Sequence, residues 1–409
     1  MLSIIFIHLH DKPTYMKRSY ILLLAALTLT LAACGGDDGL EDKTTPAIVD
    51  QDDDQTTKTV DDNYVYQLPV IFHVLYSDDK DPLQYVPASR LKTILDRVND
   101  LYAGSVYGES QPIRARFVLA SHDEKGNTLA TPGVEYVRYT AAYPINPEEF
   151  MNDNTGNNVK YIWDPNEYIN VLVYNFKQEE HEQAITLGIS HLPFCLEKDH
   201  PLDGLSTVNS SNLTKKNLKF AYCSSINSLY INYESDRYTN SDHQIHNTRL
   251  NMLASDINVT VAHELGHYLG LLHVFSETDT DNTTEPADDC ADTDYCKDTP
   301  SYNRMEYVDN LTAYLTSLPA NAAADGNRLF GRTSCKGSDF FSTNLMDYFY
   351  SEGYAFSEEQ RGRMRNVLYY SPLMPGPKLF TTRATRAAAT DGPIDLPFRI
   401  ARCTLPARR

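Results

Sequence analysis

The segment 263–273 constrains the fold of this 409-residue chain more than any other part of the sequence. It reads His-Glu-Leu-Gly-His-Tyr-Leu-Gly-Leu-Leu-His. His263 and His267 are four residues apart, so on a helix their rings project from one face and can hold one metal ion. Glu264 lies one position around the helix and can reach a water on that ion without ligating the metal, as a general base must. The segment therefore predicts a helix that carries a catalytic metal site.

Apolar periodicity predicts this helix independently of the histidines. Residues at four-residue intervals would bury one face: Leu253, Ile257, Val261, Leu265 and Leu269. Gly270 can adopt the left-handed conformation that ends a helix, so that His273 approaches the metal from another direction. Three neutral imidazole nitrogens bind zinc and leave a fourth position open, which is typical of catalytic sites. Because the chain has only 12 histidines, this spacing is improbable by chance, and zinc is the predicted cofactor.

The pattern His-Glu-x-x-His-x-x-Gly-x-x-His resembles the signature of the metzincin clan of zinc metallopeptidases. The resemblance implies a methionine-containing turn beneath the zinc ligands. Residues 344–348 resemble this turn, with Met346 as its apolar floor. By the same resemblance, Tyr348 is expected near the metal, where it would hydrogen-bond the tetrahedral intermediate. An ordinary structural tyrosine is the alternative, since the chain has 28 tyrosines.

Within the clan, the chain most resembles the pappalysin family and its ulilysin-like bacterial members. Three segments carry the likeness, at 68–76, 296–300 and 356–364, within a region of similarity that covers about residues 64–370. The resemblance implies an α+β, metzincin-type fold: a mixed twisted five-stranded sheet, backing and active-site helices, and a smaller irregular C-terminal subdomain. Apolar runs predict strands at 70–76, 113–120, 168–176, 187–192 and 229–233.

The amino-terminal sequence predicts export. A basic start and the apolar run 21–31, too short to span a membrane, are typical of a secretory signal, with Met16 as the expected translation start. Residues 31–34 resemble a bacterial lipobox, which implies that Cys34 is lipidated and anchors the protein to a membrane. A plain signal peptide cut after Ala33 is the alternative. The expected location is the bacterial cell envelope, anchored to the outer membrane. Asp37 and Asp38, just after the cysteine, resemble an acidic export signal and favour the outer face of the outer membrane. The alternative is that they are ordinary solvated residues of an acidic linker.

Composition then predicts five segments along the chain. They are a signal peptide at 1–33, a lipidated cysteine and acidic tether at 34–62, an N-terminal catalytic subdomain at 63–273 that ends in the zinc helix, a C-terminal subdomain at 274–375 with the methionine turn and a final helix, and an Arg-rich tail at 376–409. The tail is expected either to contact the acidic body or to be disordered. No propeptide with a free cysteine that could cover the metal is evident.

Cysteine usage agrees with an oxidising compartment. Without Cys34, six of the seven cysteines remain, and an even number is compatible with disulfides. Six cysteines allow 15 complete connectivities. The expected pairs join Cys195 to Cys223, and either Cys290 or Cys296 to Cys335. Relatives often carry a cysteine shortly after the methionine turn, but residues 350–354 have none, so the family's pairing does not transfer as a whole.

Ligand and substrate preferences are predicted from charge and position. The acidic loop 279–298 could bind calcium, or could be a solvated loop, because its spacing does not match an EF-hand. Glu352, after the methionine turn, predicts a pocket that prefers Arg or Lys in the position following the cleaved bond. Residues 187–190 occupy the place of the metzincin edge strand, which would pair with an extended peptide; an ordinary edge strand is the alternative. A net charge of −19 disfavours nucleic acid as a partner.

Two functions follow from these features. The first is a secreted, lipid-anchored zinc endopeptidase that hydrolyses peptide bonds of proteins through a zinc-activated water, with Glu264 accepting the water's proton and returning it to the leaving amine. The alternative is a catalytically silent surface binding or adhesion lipoprotein that retains the zinc. Glu264 distinguishes them, because a silent binding protein does not need the general base. The intact base favours the peptidase, and the sequence does not indicate an oligomeric state.

Overall fold

The computed structural model describes residues 48–49, 62–178, 184–198, 200–246, 255–280, 282–319, 322–348, 350–379 and 391–406. The predictions for the signal peptide and Cys34 lie outside the described residues, as does most of the tether. The helices are α1 (Ala88–Ala103), α2 (Pro147–Asn152), α3 (Ile257–Tyr268), α4 (Arg304–Ser317), α5 (Gly326–Phe330) and α6 (Glu358–Tyr370). Among the described residues, no helix combines the length and the apolar character that crossing a bilayer requires.

The strands are β1 (Ile48–Val49), β2 (Tyr66–Tyr76), β3 (Ala115–Leu119), β4 (Val134–Arg138), β5 (Ile169–Tyr174), β6 (Ala184–His191), β7 (Cys195–Leu196), β8 (Thr207–Val208), β9 (Ser224–Asn227), β10 (Glu277–Thr280), β11 (Thr283–Pro286), β12 (Gly331–Thr333), β13 (Asp339–Phe341), β14 (Lys378–Leu379) and β15 (Ile400–Pro406). Most of them join one central sheet, and the short pairs β1 with β14, β7 with β8 and β12 with β13 lie outside it.

The central sheet is mixed, which confirms the α+β fold class. Its order is β10-β11-β15-β6-β9-β5-β2-β3, with β4 also paired to β2. Strands β3, β4 and β5 run parallel to β2, and β9 runs parallel to β5, whereas β6 is antiparallel to β9. The expected count of five strands is wrong, because the described residues contribute nine to this sheet. The additions are β4, which continues along β2 beyond β3, the hairpin of β10 and β11, and β15 from the tail.

Burial explains why the middle of the sheet was predictable. Strand β2 reads Tyr-Gln-Leu-Pro-Val-Ile-Phe-His-Val-Leu-Tyr and is almost continuously buried from Val70 onward, as expected for a strand covered on both faces. Helix α1 buries an apolar face against this core and ends at Gly104, whose φ is 72°.

The strand predicted at 229–233 is wrong. The chain forms β9 just before it, with the polar sequence Ser-Ser-Ile-Asn, which apolar periodicity does not reveal.

The tail forms a strand rather than a disordered segment over residues 400–406. Strand β15 pairs antiparallel with β6 through seven residue positions, from Ile400 opposite His191 to Pro406 opposite Ala184. The edge of β6 that was predicted to pair with a peptide is therefore covered by β15.

One of the two expected disulfides is present. Cys290 is bonded to Cys335, which ties the loop after β11 to the segment after β12. The expected bond between Cys195 and Cys223 is wrong, because both thiols are buried and unbonded. Cys223 Sγ instead lies 3.7 Å from Met151 Sδ. Sequence proximity of two cysteines does not fix the direction in which their side chains point, and a disulfide requires a specific geometry.

Candidate active site

Helix α3 and the turn after it bring the three predicted histidines together. Asp256 caps the helix by accepting a hydrogen bond from the Asn258 amide. Gly270 has φ of 93° and ends it, so that the chain folds back and carries His273 towards the helix. The Nε2 atom of His263 lies 3.0 Å from that of His267 and 3.2 Å from that of His273, and the last two are 3.1 Å apart. All three side chains are buried.

The other ring nitrogen of each histidine has a fixed partner. The Nδ1 atoms of His263 and His267 lie 2.7 Å from the Leu345 carbonyl and 2.9 Å from the Leu271 carbonyl. A carbonyl oxygen only accepts, so each Nδ1 carries the hydrogen and each Nε2 presents a lone pair. His273 Nδ1 lies 2.7 Å from Glu277 Oε1. This arrangement holds the rings in one orientation, as outer partners of metal ligands do.

These residues fit a zinc ion. Three lone pairs that converge at about 3 Å without a proton between them repel each other unless a cation lies among them, and nitrogens so placed can ligate one zinc at roughly 2.0–2.1 Å. Burial lowers the pKa of His263 to about 3 and that of His267 well below its usual range, which keeps both rings neutral. Neutral imidazole is the form that binds metal.

Met346 lies beneath helix α3, as the resemblance predicted. Its side chain is fully buried, and a Cβ atom added at Gly266 would lie 2.5 Å from the Met346 sulfur. Gly266 is therefore needed for the close approach of the helix to the turn. The same turn supplies the Leu345 carbonyl that binds His263, and the Met346 carbonyl accepts from the Val274 amide at 3.3 Å. The turn thus helps to position both His263 on the helix and His273, the residue before Val274.

Glu264 lies between the histidine cluster and strand β6. Its side chain is fully buried, Oε2 accepts a hydrogen bond of 2.7 Å from Ser190, and Oε1 has no partner among the described residues. Burial raises the pKa of the Glu264 carboxyl well above its usual range, and the Ser190 hydrogen bond opposes that shift. A Cβ atom at Gly188 would lie 2.5 Å from Glu264 Oε1, so only glycine fits there. One carboxylate oxygen is held and the other is available for proton transfer.

Tyr348 is next to the histidines. Its ring centroid lies 4.6 Å from that of His273, and the Arg304 guanidinium lies 4.3 Å above its ring. Burial raises the pKa of Tyr348 well above its usual range, so the hydroxyl remains a donor. It donates to the main-chain carbonyl of Arg402 in β15. The hydroxyl is therefore directed at a peptide carbonyl beside the metal site.

The acidic loop 279–298 uses its carboxylates as internal acceptors. Asp298 accepts from Ser357 and from the Glu359 amide, and Asp294 accepts from Thr299 and from the Cys296 amide. Within the described part of the chain, groups of three His, Cys, Asp or Glu that could share an ion occur only around His263. The described part of the loop therefore gathers no such group for calcium.

The carboxylate of Glu352 faces a cation of the protein itself. Its Oε2 lies 3.8 Å from Arg237 Nη2, and Arg237 also donates to the Glu352 carbonyl. A different acidic pair, Glu148 of α2 and Glu285 of β11, binds the guanidinium of Arg402 in β15, next to Cys403.

Several residues of the site were not predicted from the sequence. Glu277 follows His273 by four residues and could have been found as a carboxylate within reach of a ligand histidine. Ser190, Gly188 and Arg304 carried no such signal, because only the sheet pairing and the burial bring them to Glu264 and Tyr348. Cys403 was also missed; its sulfur lies within 4.8 Å of the ligand atoms of His263 and Glu264.

The contact of His273 with Glu277 leads to a testable expectation. Replacing Glu277 by Gln keeps an acceptor oxygen but removes the charge that orients His273 and increases its basicity, so zinc affinity should fall by about 10- to 100-fold. Competition with a zinc-selective chelator measures this affinity. Glu306→Gln, an equal change at an exposed position of α4, serves as the control. Equal affinities for the two variants would show that Glu277 does not support the site.

A known protein family matches the part of the chain that carries this geometry. Residues 216–369 match the model of the peptidase M43 family, pregnancy-associated plasma protein-A. A comparison with curated protein sequences finds no match. Among solved structures, the chain is similar to mature mirolysin of Tannerella forsythia in complex with a cleaved peptide, at 20% identity and a TM-score of 0.43, over 74% of this chain and 90% of that one. The chain is also similar to mirolysin in complex with compound 9, at 19% identity and a TM-score of 0.43, over 75% of this chain and 92% of that one. A promirolysin mutant of Tannerella forsythia is similar at 19% identity and a TM-score of 0.43, over 75% of this chain and 81% of that one.

The matched region contains the histidine cluster, Glu264 and the methionine turn. The family implies zinc, and the buried lone pairs of His263, His267 and His273 fit that ion. Residues 216–369 are therefore similar to the peptidase M43, or pappalysin, family of metzincin metallopeptidases, and their histidine cluster fits the metal of that family.

Proposed function

We propose that this protein is an exported, lipid-anchored zinc endopeptidase that cleaves extended segments of other proteins. One observation carries the catalytic part of the proposal: the fully buried Glu264 carboxylate, with one free oxygen, lies between three convergent histidine nitrogens and a sheet strand. An extended peptide would pair with β6 in the position that β15 occupies, so that its backbone crosses the metal site.

Each protein group has a separate task in hydrolysis. Zinc, when bound by the three histidines, lowers the pKa of a water and polarises the peptide carbonyl. Glu264 accepts the proton of the attacking water at Oε1 while Ser190 holds Oε2, and Glu264 then donates that proton to the leaving amine. The Tyr348 hydroxyl donates to the carbonyl oxygen on which negative charge develops. Its present bond to the Arg402 carbonyl supports this role.

Cleavage of a diverse peptide mixture tests the proposal, with products detected by mass spectrometry so that slow turnover is visible. Cleavage that stops on zinc chelation and returns when zinc is restored supports a zinc peptidase. Stoichiometric zinc without any cleavage would instead favour the catalytically silent surface binding protein. The cleaved positions also test the preference for Arg or Lys after the scissile bond that Glu352 predicts. Equal cleavage before basic and apolar residues would contradict that preference.

The location in the cell envelope is a second part of the proposal, supported by the lipobox-like residues 31–34. Cys34→Ser should move the protein from the membrane fraction to the soluble fraction, because the acyl chains that supply about 0.8 kcal/mol per buried methylene are no longer attached. Fractionation of bacteria that express each form, with immunoblotting, measures the distribution. Unchanged membrane association would argue against lipidation at this residue, and protease shaving of intact cells would report whether the protein faces outward.

A further inference from the structure

Strand β15 lies in the place where the proposed function requires the substrate. It pairs with β6 through seven residue positions, and Ile400, Ala401 and Cys403 are buried. Residues Gly188 and Ser190 of β6 are the ones that contact Glu264. A peptide that adds to this edge of the sheet must therefore replace β15.

We propose that the C-terminal strand β15 is an internal inhibitor that occupies the substrate cleft and covers the metal site with the Cys403 thiol. This inference rests on the proposed function, since it assumes that the cleft binds extended peptides for hydrolysis. The partner of the cleft in the resting protein is thus a segment of the same chain.

Cys403 is in the position to exclude the catalytic water. It pairs with Gly188, the residue packed against Glu264, and its sulfur lies within 4.8 Å of ligand atoms of both His263 and Glu264. Cysteine sulfur is a favoured zinc ligand, so Cys403, which lies on the side of the cluster formed by His263 and Glu264, would be able to supply the fourth ligand to an ion held by the three histidines. While the thiol is there, the water that Glu264 must deprotonate has no place to bind.

Arg402 holds the strand in this position. Its guanidinium binds Glu148 on one side and Glu285 on the other, two acidic residues from separate elements, α2 and β11. Its carbonyl accepts the hydrogen bond from Tyr348 that a substrate carbonyl would accept. Arg399 adds a further ion pair with Asp279 and a bond to the Gly204 carbonyl. The acidic rim of the cleft therefore attracts a basic strand.

Strand β15 is bound in the way proposed for a substrate peptide, but it is not hydrolysed because the thiol excludes the catalytic water. Strand β15 uses the sheet edge, the hydroxyl donor and the acidic pair, and it adds a thiol where the water should be. Release requires that the ion pairs of Arg402 and Arg399, the hydrogen bond from Tyr348, the contact of the thiol with the metal and the ladder to β6 be broken.

Three full-length, zinc-loaded variants test the inference. Arg402→Glu places a third carboxylate beside Glu148 and Glu285 and should detach the strand. Cys403→Ser removes the thiol but leaves the strand. Arg116→Glu makes the same charge reversal at an exposed position of β3 and is the matched control. Zinc content and circular dichroism show whether each variant is folded and loaded.

Two readouts report the strand itself. In the unchanged protein and in Arg116→Glu, alkylation of Cys403 by iodoacetamide, followed by peptide mass spectrometry, should be slow, and Arg402→Glu should make it at least about tenfold faster because attraction becomes repulsion. In cobalt-substituted protein, a thiolate-to-cobalt absorption band should be present, and both Arg402→Glu and Cys403→Ser should lack it. Rapid alkylation of Cys403 in the unchanged protein, or no such band, would overturn the inference.

Peptide cleavage separates this inference from the proposed function. Arg402→Glu should cleave at least about tenfold faster than Arg116→Glu, since it empties the cleft and clears the fourth metal position, whereas Cys403→Ser, which keeps β15 paired with β6, should gain much less. Full activity of the unchanged protein would overturn the inhibitory role while the peptidase function stands. A protected thiol and a cobalt band in the unchanged protein, together with no cleavage by the released Arg402→Glu variant, would support the position of β15 and contradict the peptidase function.

Discussion

Replacement of Glu264 by Gln is expected to lower kcat for peptide hydrolysis by about 100- to 10,000-fold, the range that a positioned general base contributes. The amide has the size of the carboxylate but cannot accept the proton at the position of Oε1, the oxygen that has no partner among the described residues. Zinc should remain bound at one ion per chain, because the ligands are His263, His267 and His273 and none is changed. Steady-state kinetics and metal analysis of the same sample measure both quantities.

Ser190 provides the control for this substitution. Ser190→Ala removes the hydrogen bond to Glu264 Oε2 but leaves the carboxylate, so its effect on kcat should be much smaller than that of Glu264→Gln. Equal losses in the two variants would mean that the environment of β6, rather than proton transfer at Glu264, limits the reaction. Retained activity in Glu264→Gln would assign the base to another residue.

Replacement of His273 by Ala is expected to abolish stable zinc binding, with an affinity loss greater than about 100-fold, because even outer partners of ligands cost 10- to 100-fold. The loss should also be visible in stability. A bound ion at 100 times its dissociation constant stabilises a fold by about 2.7 kcal/mol, and the variant cannot gain that stabilisation. Added zinc should therefore raise the Tm of the unchanged protein and leave that of His273→Ala where it is.

His122→Ala, at an exposed histidine far along the chain from α3, is the matched control and should bind zinc like the unchanged protein. A zinc-dependent rise in the Tm of His273→Ala equal to that of the control would contradict the assignment of His273 as a ligand. Because His263 and His267 lie on one rigid helix, residual weak binding by these two would appear only at high zinc concentration.

The sequence predicted the parts of this molecule that local spacing controls. Helix periodicity places His263 and His267 on one face, and Gly270 adopts the left-handed conformation that the turn to His273 requires. The continuous apolar run of β2 likewise reflects burial on both faces of a sheet. In these cases the residues that determine the local structure lie within a few positions of each other in the sequence.

The remainder depends on contacts between distant segments. Strand β15 carries Arg402, and Arg399 lies just before it. Their charges are satisfied by carboxylates more than a hundred residues away, so composition alone left contact with the acidic body and a disordered tail as alternatives. Strand β9 is polar and buried, because its Ser224 hydroxyl bonds with Ser190 in the neighbouring strand. Carboxylates of the loop 279–298 bind amides, hydroxyls and arginines of the protein, so the number of carboxylates overstated the case for calcium.

Glu264, beside zinc held by three histidines, is expected to promote peptide hydrolysis once the cleft is open. The most direct test compares cleavage of one peptide mixture by zinc-loaded Arg402→Glu protein and by the same protein carrying Glu264→Gln as well. We expect zinc-dependent cleavage by the first protein and a rate lower by about 100-fold or more in the second. Equal rates in the two proteins, or no cleavage by a zinc-loaded Arg402→Glu protein whose Cys403 reacts freely, would contradict this expectation.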